Sequence, residues 1–270
     1  MNIIEKIKNE FRSSNILNKI IYVNVFIFLF INILSVISNL FLFSVDFYIE
    51  KLMLPSSTSQ ILKQPWSFLT YMFLHNSFLH LLFNMIWLHF GGKLFLQYLN
   101  EKQFINIYIL GGVFGGLLFV MAFNYLPALQ QYNEQAKALG ASASVLAIFF
   151  AIATKIPNYH IKLPFIGFIK LRYLAIFFIL LDFLSIPKGN AGGHIAHIGG
   201  ALFGFAYIKQ LNKTKSSMFD QILNMFKFTK KKKEKKEINE VDVILEKISK
   251  SGYNSLNENE KNILFKSSKK

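Results

Sequence analysis

Leu139-Gly140-Ala141-Ser142-Ala143-Ser144 leads out of a polar segment straight into the apolar run Val145 to Ala153. A serine among small residues at such a junction leaves its hydroxyl open to close approach by neighbouring helices, which makes Ser142 a candidate nucleophile. The apolar run that follows is only about a dozen residues long, short of the ~17 that cross a bilayer unaided. A helix of that length has to be enclosed by longer ones, with its polar start in a recessed, wet cavity.

The composition supplies the longer helices. Hydrophobic residues make up 53% of the 270 positions, 30 of them Phe, and mean hydropathy is +0.36. That is too apolar for a soluble domain and reads as an all-α, polytopic membrane protein. No cysteine is present, which excludes disulfides and thiolate chemistry. No cleavable signal is visible in the mixed-charge segment before Lys19, so the first apolar run is expected to serve as the membrane signal. Net charge is +15, and from Lys209 onward 16 Lys against 8 Asp and Glu give +8 of it. A basic tail after the last span reads as cytoplasmic and apposed to anionic lipid rather than as a nucleic-acid arm.

Working along the chain, Ile3, Ile4, Ile7 and Phe11 recur at helical spacing between charges, as in a short helix on the bilayer surface. Six spans follow: residues 20–45, 77–98, 104–126, 142–154, 173–186 and 191–208. Residues 46–74, with Pro55 and Pro65, form a long connection rather than a span, and 155–172, interrupted by Pro164 and Gly167, read as a cytoplasmic hairpin. Gly111-Gly112 and Gly115-Gly116 put small residues four apart in the third span, which permits close helix approach. Lys and Arg gather in the N-terminal segment, the hairpin and the tail, so both termini are expected in the cytoplasm. The tail shows an apolar stripe of Phe219, Ile222, Leu223 and Phe226 before Lys230 to Lys233, then a second of Val241, Ile244, Leu245 and Ile248 stopped by Gly252. Ser255 to Glu258 read as the capping box of a last helix. The expected divisions are an N-terminal segment at 1–16, a membrane domain at 17–210 and a small helical tail at 211–270.

Polar side chains inside spans default to function, because burying them in lipid is costly. His80 and Asn84 are four apart and share a helix face. His197, Gly200 and Gly204 fall at i, i+3 and i+7, a histidine above a glycine groove that lets the last span pack on the short one and brings His197 to Ser142. A serine activated by a histidine is the minimum apparatus for acyl transfer. His80, Asn84 and the backbone N–H of Ser142 then face the developing oxyanion.

Trp66, then His75, His80 and Asn84 as H-x4-H-x3-N, then Gly140-x-Ser142, then Ala196-His197 with Gly200 and Gly204, resemble the rhomboid intramembrane serine proteases over residues 17–210. The resemblance implies a Ser142–His197 dyad without an obligatory acid, an oxyanion site of His80 and Asn84, and supporting roles for His75, Gly140, Gly200, Gly204 and Trp66. It also implies hydrolysis at or near the membrane surface, with single-span proteins as substrates and neither cofactor nor metal. A bacterial inner membrane is the expected location. The chain departs from the family at Ala143, where Gly is common, at Leu146, where an aromatic residue packs on the histidine, and at Ser67, where Arg follows the tryptophan.

Competing assignments are specific. Ser144 lacks the Gly-x-Ser context and reads as packing, His194 as a rim residue or water partner, and His89 as a satisfied helix histidine. Asp182 reads as a buried hydrogen-bonding group, with orientation of a histidine as the other option. The rival class is a metal or haem protein using His75, His80, His89, His194 and His197. A binding protein without catalysis is the third.

Overall fold

A computed structural model describes residues 3–163, 167–214 and 241–267. The chain divides into two compact units, Met1–Lys215 and Ser216–Lys270. The first is helical throughout, save two small strand pairs. α1 (Ile3–Ser13) and α2 (Ile16–Leu40) are followed by three short helices, α3 (Asp46–Glu50), α4 (Thr58–Lys63) and α5 (Ser67–Thr70), with β1 (Leu54–Pro55) between α3 and α4. Then come α6 (Phe78–Tyr98), α7 (Glu101–Tyr125), α8 (Pro127–Gln130), β2 (Lys137–Ala138), α9 (Ser142–Lys155), β3 (His160–Leu163), β4 (Gly167–Lys170), α10 (Leu171–Ser185) and α11 (Ala191–Thr214).

Local chemistry sets the long helix starts. Asn15, Ser77 and Asn100 cap α2, α6 and α7, their side chains accepting from Asn18, His80 and Gln103 N–H groups. Asn100 and Gln103 close a reciprocal capping box. The Asn15 cap explains why α2 begins four residues before the apolar run, and its end at Leu40 rather than Val45 falls where Leu42 takes φ +56° and Phe43 N–H donates to the Ser38 carbonyl at 3.0 Å.

Among the described residues three helices, α2, α6 and α7, are long and apolar enough to cross a membrane. Phe26, Leu29, Phe30, Ile33 and Val36 form an exposed stripe on α2, and α10 exposes Ile176, Phe177, Leu180 and Leu184, faces that only lipid would solvate well. The expected count of six is not reached by length and hydropathy alone. α9 has 14 residues, α10 has 15, and α11, at 24, opens with glycines and histidines.

α9 is the hub, packed between α6, α7 and α11. Ala143, Ser144, Val145, Ala147, Ile148, Phe149, Ala151 and Ile152 are all buried. Glycine makes the approach possible: a Cβ at Gly200 or Gly204 would collide with the backbone carbonyls of Ala143 and Ala147, and one at Gly115 would lie 2.6 Å from the Ala143 Cβ. Thus the small residues of the third and last spans meet the same two alanines, Ala143 and Ala147, where α7, α9 and α11 come together. Asn24 ties α2 to the bundle by donating to the Tyr108 hydroxyl at 3.2 Å.

The connection 46–74 is structured rather than extended. β1 pairs antiparallel with β2, Leu54 opposite Ala138 and Pro55 opposite Lys137, and Lys137 Nζ meets Glu50 Oε2 at 2.6 Å. Residues 160–163 and 167–170 form the two strands of the expected hairpin, with Pro164 outside the described residues.

In the second unit, residues 241–251 are helical (α12), Gly252 takes φ +74° to end them, and α13 (Glu258–Ser267) follows. Asn257, not Ser255, caps α13: its Oδ1 accepts from Glu260 N–H at 2.9 Å, and Glu260 Oε2 accepts from Asn257 N–H at 2.8 Å. Ser255 belongs instead to a preceding 3-10 turn. Lys247 donates to Glu260 at 2.9 Å, holding that carboxyl below its usual range. Ile244 and Leu256 are the buried hydrophobic residues. The stripe at 219–226, Lys230 to Lys233, and the side chains of Ile3, Ile4 and Ile7 lie outside the described residues.

Candidate active site

Ser142 is the first residue of α9, so its N–H is one of the unpaired donors at a helix start. The turn before it depends on Gly140, whose φ of +125° suits only glycine and whose missing side chain leaves room for His80, 2.9 Å from where a Cβ would stand. Gly140 N–H donates to the Tyr71 carbonyl at 2.9 Å, and the Tyr71 hydroxyl donates to Gly112 O at 2.6 Å, so α7 and the first connection hold the turn together. Ser144, fully buried, turns its hydroxyl to Met72 Sδ at 3.8 Å and away from any cavity.

α11 carries His197 to the other side of Ser142. Its Nε2 lies 2.6 Å from Ser142 Oγ. Its Nδ1 lies 2.8 Å from Asp182 Oδ1 on α10, and His194 Nδ1 reaches the same oxygen at 2.8 Å. His194, read as a rim residue or a water partner, lines the cavity and has Asp182 as a protein partner. A carboxylate only accepts, so both histidines carry their proton on Nδ1 and leave Nε2 bare, which lets His197 accept the Ser142 hydroxyl hydrogen.

α6 supplies the third wall. His80 points its Nε2 edge at the Gly140 turn, and its Nδ1 pairs with Asn76 Oδ1 at 2.8 Å. Asn84, buried, spends one amide N–H on the His80 carbonyl at 2.9 Å and lines the same cavity. His75 sits behind His80, ring centroids 5.0 Å apart, and burial followed by the neighbouring His80 pushes its pKa down to about 4. Trp66 is half exposed and donates Nε1–H to the Lys51 carbonyl at 2.9 Å, an anchor within the first connection rather than a part of the site.

These groups open on a cavity of about 1510 Å³ whose apolar wall includes Trp87, Leu146, Phe149 and Phe178. α9, with 14 residues at about 1.5 Å each, spans about 21 Å, shorter than the ~30 Å of a bilayer's hydrocarbon core.

The five-histidine metal set is not brought together, since His89 lines a separate cavity beside Lys93 and Tyr159. Among the described residues one trio, Asp182, His194 and His197, is compact enough to hold an ion. Its 2.8 Å oxygen–nitrogen separations are those of hydrogen bonds. Two ligands on one tetrahedral zinc, each bonded at ~2.0–2.1 Å, would stand about 3.3 Å apart.

Asp182 is a hydrogen-bonding group, as read from the sequence, and its partners are His194 and His197. Asn76 was missed altogether. Its only signal was an amide four residues before His80, and the intervening Ser77 cap hides that relation by placing Asn76 outside the helix.

A helical bundle with apolar helices of membrane length, and a bonded serine–histidine pair on a cavity among its helices, defines a class of membrane protein. Residues 62–213 match the Rhomboid domain, and the chain belongs to that family, multi-pass membrane proteins that are generally intramembrane serine proteases. Residues 226–270 match a family of unknown function. The chain is similar to presenilin-associated rhomboid-like protein A, mitochondrial, of Danio rerio, 33% identical over 140 residues, which cover 50% of this chain and 35% of that protein. It is also similar to RHOMBOID-like protein 12, mitochondrial, of Arabidopsis thaliana, 28% identical, with 49% of this chain and 42% of that one covered. Rhomboid-like protease 3 of Toxoplasma gondii is 30% identical over 56% of this chain and 53% of its own length. The chain thus spans about a third to a half of these relatives. Their names lend no support to a bacterial membrane.

Proposed function

We propose that this chain is an intramembrane serine endopeptidase that cleaves single-span membrane proteins at or near the outer membrane face. The observation that carries the reading is the 2.6 Å hydrogen bond between Ser142 Oγ and His197 Nε2 on the wall of a cavity with an apolar side. Ser142 Oγ attacks the scissile carbonyl while His197 Nε2 takes its proton, giving a tetrahedral oxyanion and an imidazolium. The oxyanion is met by Ser142 N–H, the free amide hydrogen of Asn84 and the Nε2 edge of His80. When the C–N bond breaks, His197 returns the proton to the leaving amine. A water then adds to the acyl–Ser142 ester by the same route, releasing the acid and restoring the serine.

His80 donates from Nε2 as a neutral ring when the Asn76 amide turns its N–H₂ toward Nδ1, and this is the tautomer the oxyanion role requires. Substrate helices have to unwind locally, because a peptide bond inside an intact helix is closed to attack. Six spans, α2, α6, α7, α9, α10 and α11, with both termini in the cytoplasm, are the topology that the placement of Lys and Arg supports. Membrane lipids and single-span proteins are the partners this implies.

A serine-directed fluorophosphonate applied in detergent tests the reading. Ser142→Ala and His197→Ala are expected to abolish labelling, while Ser144→Ala and His194→Ala keep it. A folded wild-type chain that takes no label, or one labelled equally well after Ser142→Ala, would sink it.

A further inference from the structure

Asp182 is an acid in the last turn of the apolar helix α10, 13% exposed at its side chain. A carboxylate on an apolar helix is costly to desolvate, so its presence there asks for a reason beyond solubility. Two ring N–H groups converge on one of its oxygens, from His194 and His197, one turn apart on α11. A peg joining α10 to α11 would need only one such bond. Here the second falls on the nitrogen opposite the one that faces Ser142.

We propose that Asp182 is a positioning residue for the reaction, turning the Ser142–His197 pair into a serine–histidine–acid relay, with His194 as a second donor that fixes the carboxylate. This rests on the protease reading given above. Asp182 acts in two ways through His197. It holds the ring with Nδ1–H toward α10, so that bare Nε2 faces Ser142 Oγ. It also stands 2.8 Å from the positive charge that forms when that nitrogen takes the serine proton. No proton moves to Asp182: His197 accepts one from Ser142 and gives the same one to the leaving amine. His194 keeps the shared oxygen aimed by bonding it from the preceding turn. Leu146 borders the same cavity as His197 where an aromatic ring would be common, which leaves the orientation of His197 more dependent on its polar partner.

The test measures the rate of fluorophosphonate labelling of the full chain against pH, comparing wild type, Asp182→Asn, Asp182→Glu and His194→Ala. Rates are taken from the time course of the labelled fraction, so misfolded protein drops out. The titratable groups facing His197 are Asp182, His194 and His80, and the profile is read with all three in place in wild type. Asp182→Asn is expected to slow labelling at least about tenfold, within the ~10⁴-fold span known for neutralising a triad acid. It should also change the shape of the pH profile, because the imidazolium loses its counter-charge. Asp182→Glu should recover part of the rate and of the profile. His194→Ala should slow labelling, by less than Asp182→Asn does, because His197 keeps its own bond to the carboxylate. Asp182→Asn labelling within twofold of wild type at every pH, with an unmoved profile, assigns Asp182 to helix attachment alone and overturns the proposal. A wild-type chain without label overturns the protease reading and the relay together, before any variant is compared.

Discussion

Gly140 shows how much of the site rests on single residues. Its φ of +125° and the His80 ring 2.9 Å from its absent Cβ give two independent reasons against any side chain. Gly140→Ala is expected to cost about 1–3 kcal/mol of strain and to lower Ser142 labelling at least tenfold, readable as a lower melting temperature together with a slower rate. His75 gives a pH dependence. The unfolded chain takes up that proton near 6.5 and the folded one near 4, so acidification across this window favours unfolding. Wild type should lose thermal stability between pH 6.5 and 4, and His75→Gln should flatten the fall; an equal slope in both would remove His75 as its cause. The site was legible in the sequence where a residue's spacing coincided with a helix face, as for His80 with Asn84 and for His197 with Gly200 and Gly204. It was not legible where the bond joins different helices: nothing in the order of residues places Asp182 against His197 rather than against water or lipid.

At the scale of elements, the packing of α9 turns on which glycines meet backbone. Gly200 and Gly204 abut the carbonyls of Ala143 and Ala147, atoms that move only with the helix itself. Gly200→Ala or Gly204→Ala should destabilise by about 1–3 kcal/mol, as overpacking does, and should push Ser142 out of register with His197, so that melting temperature and labelling fall together. Gly91 is the control, because its nearest neighbours across the interface lie 3.8 Å away in ordinary contact. Gly91→Ala should leave labelling intact and raise stability by up to about 1 kcal/mol through helix propensity. A fall at Gly91 as large as that at Gly200 would refute the backbone argument. The helices themselves were readable from hydropathy and capping residues to within a few positions. The ends of α2 and α13 were not, because Asn15 and Asn257 start their helices by hydrogen bonding, a signal that the apolar pattern does not carry.

Over the whole molecule, the two units make separate demands. All of Ser142, His197, His80, Asn84 and Asp182 belong to the first, so a chain ended at Lys215 should keep its fluorophosphonate labelling rate within about twofold, and a larger loss would give the second unit a part in the reaction. Within the first unit, the strand pair Leu54–Pro55 with Lys137–Ala138 stitches the connection after α2 to a segment that ends four residues before Ser142, and Glu50 with Lys137 adds a charged clasp outside it. A tug on that outer connection is therefore a tug on Ser142. An antibody fragment raised against residues 46–53, far along the chain from any reacting group, would act as a remote brake or throttle on the hydroxyl, without ever entering the cavity.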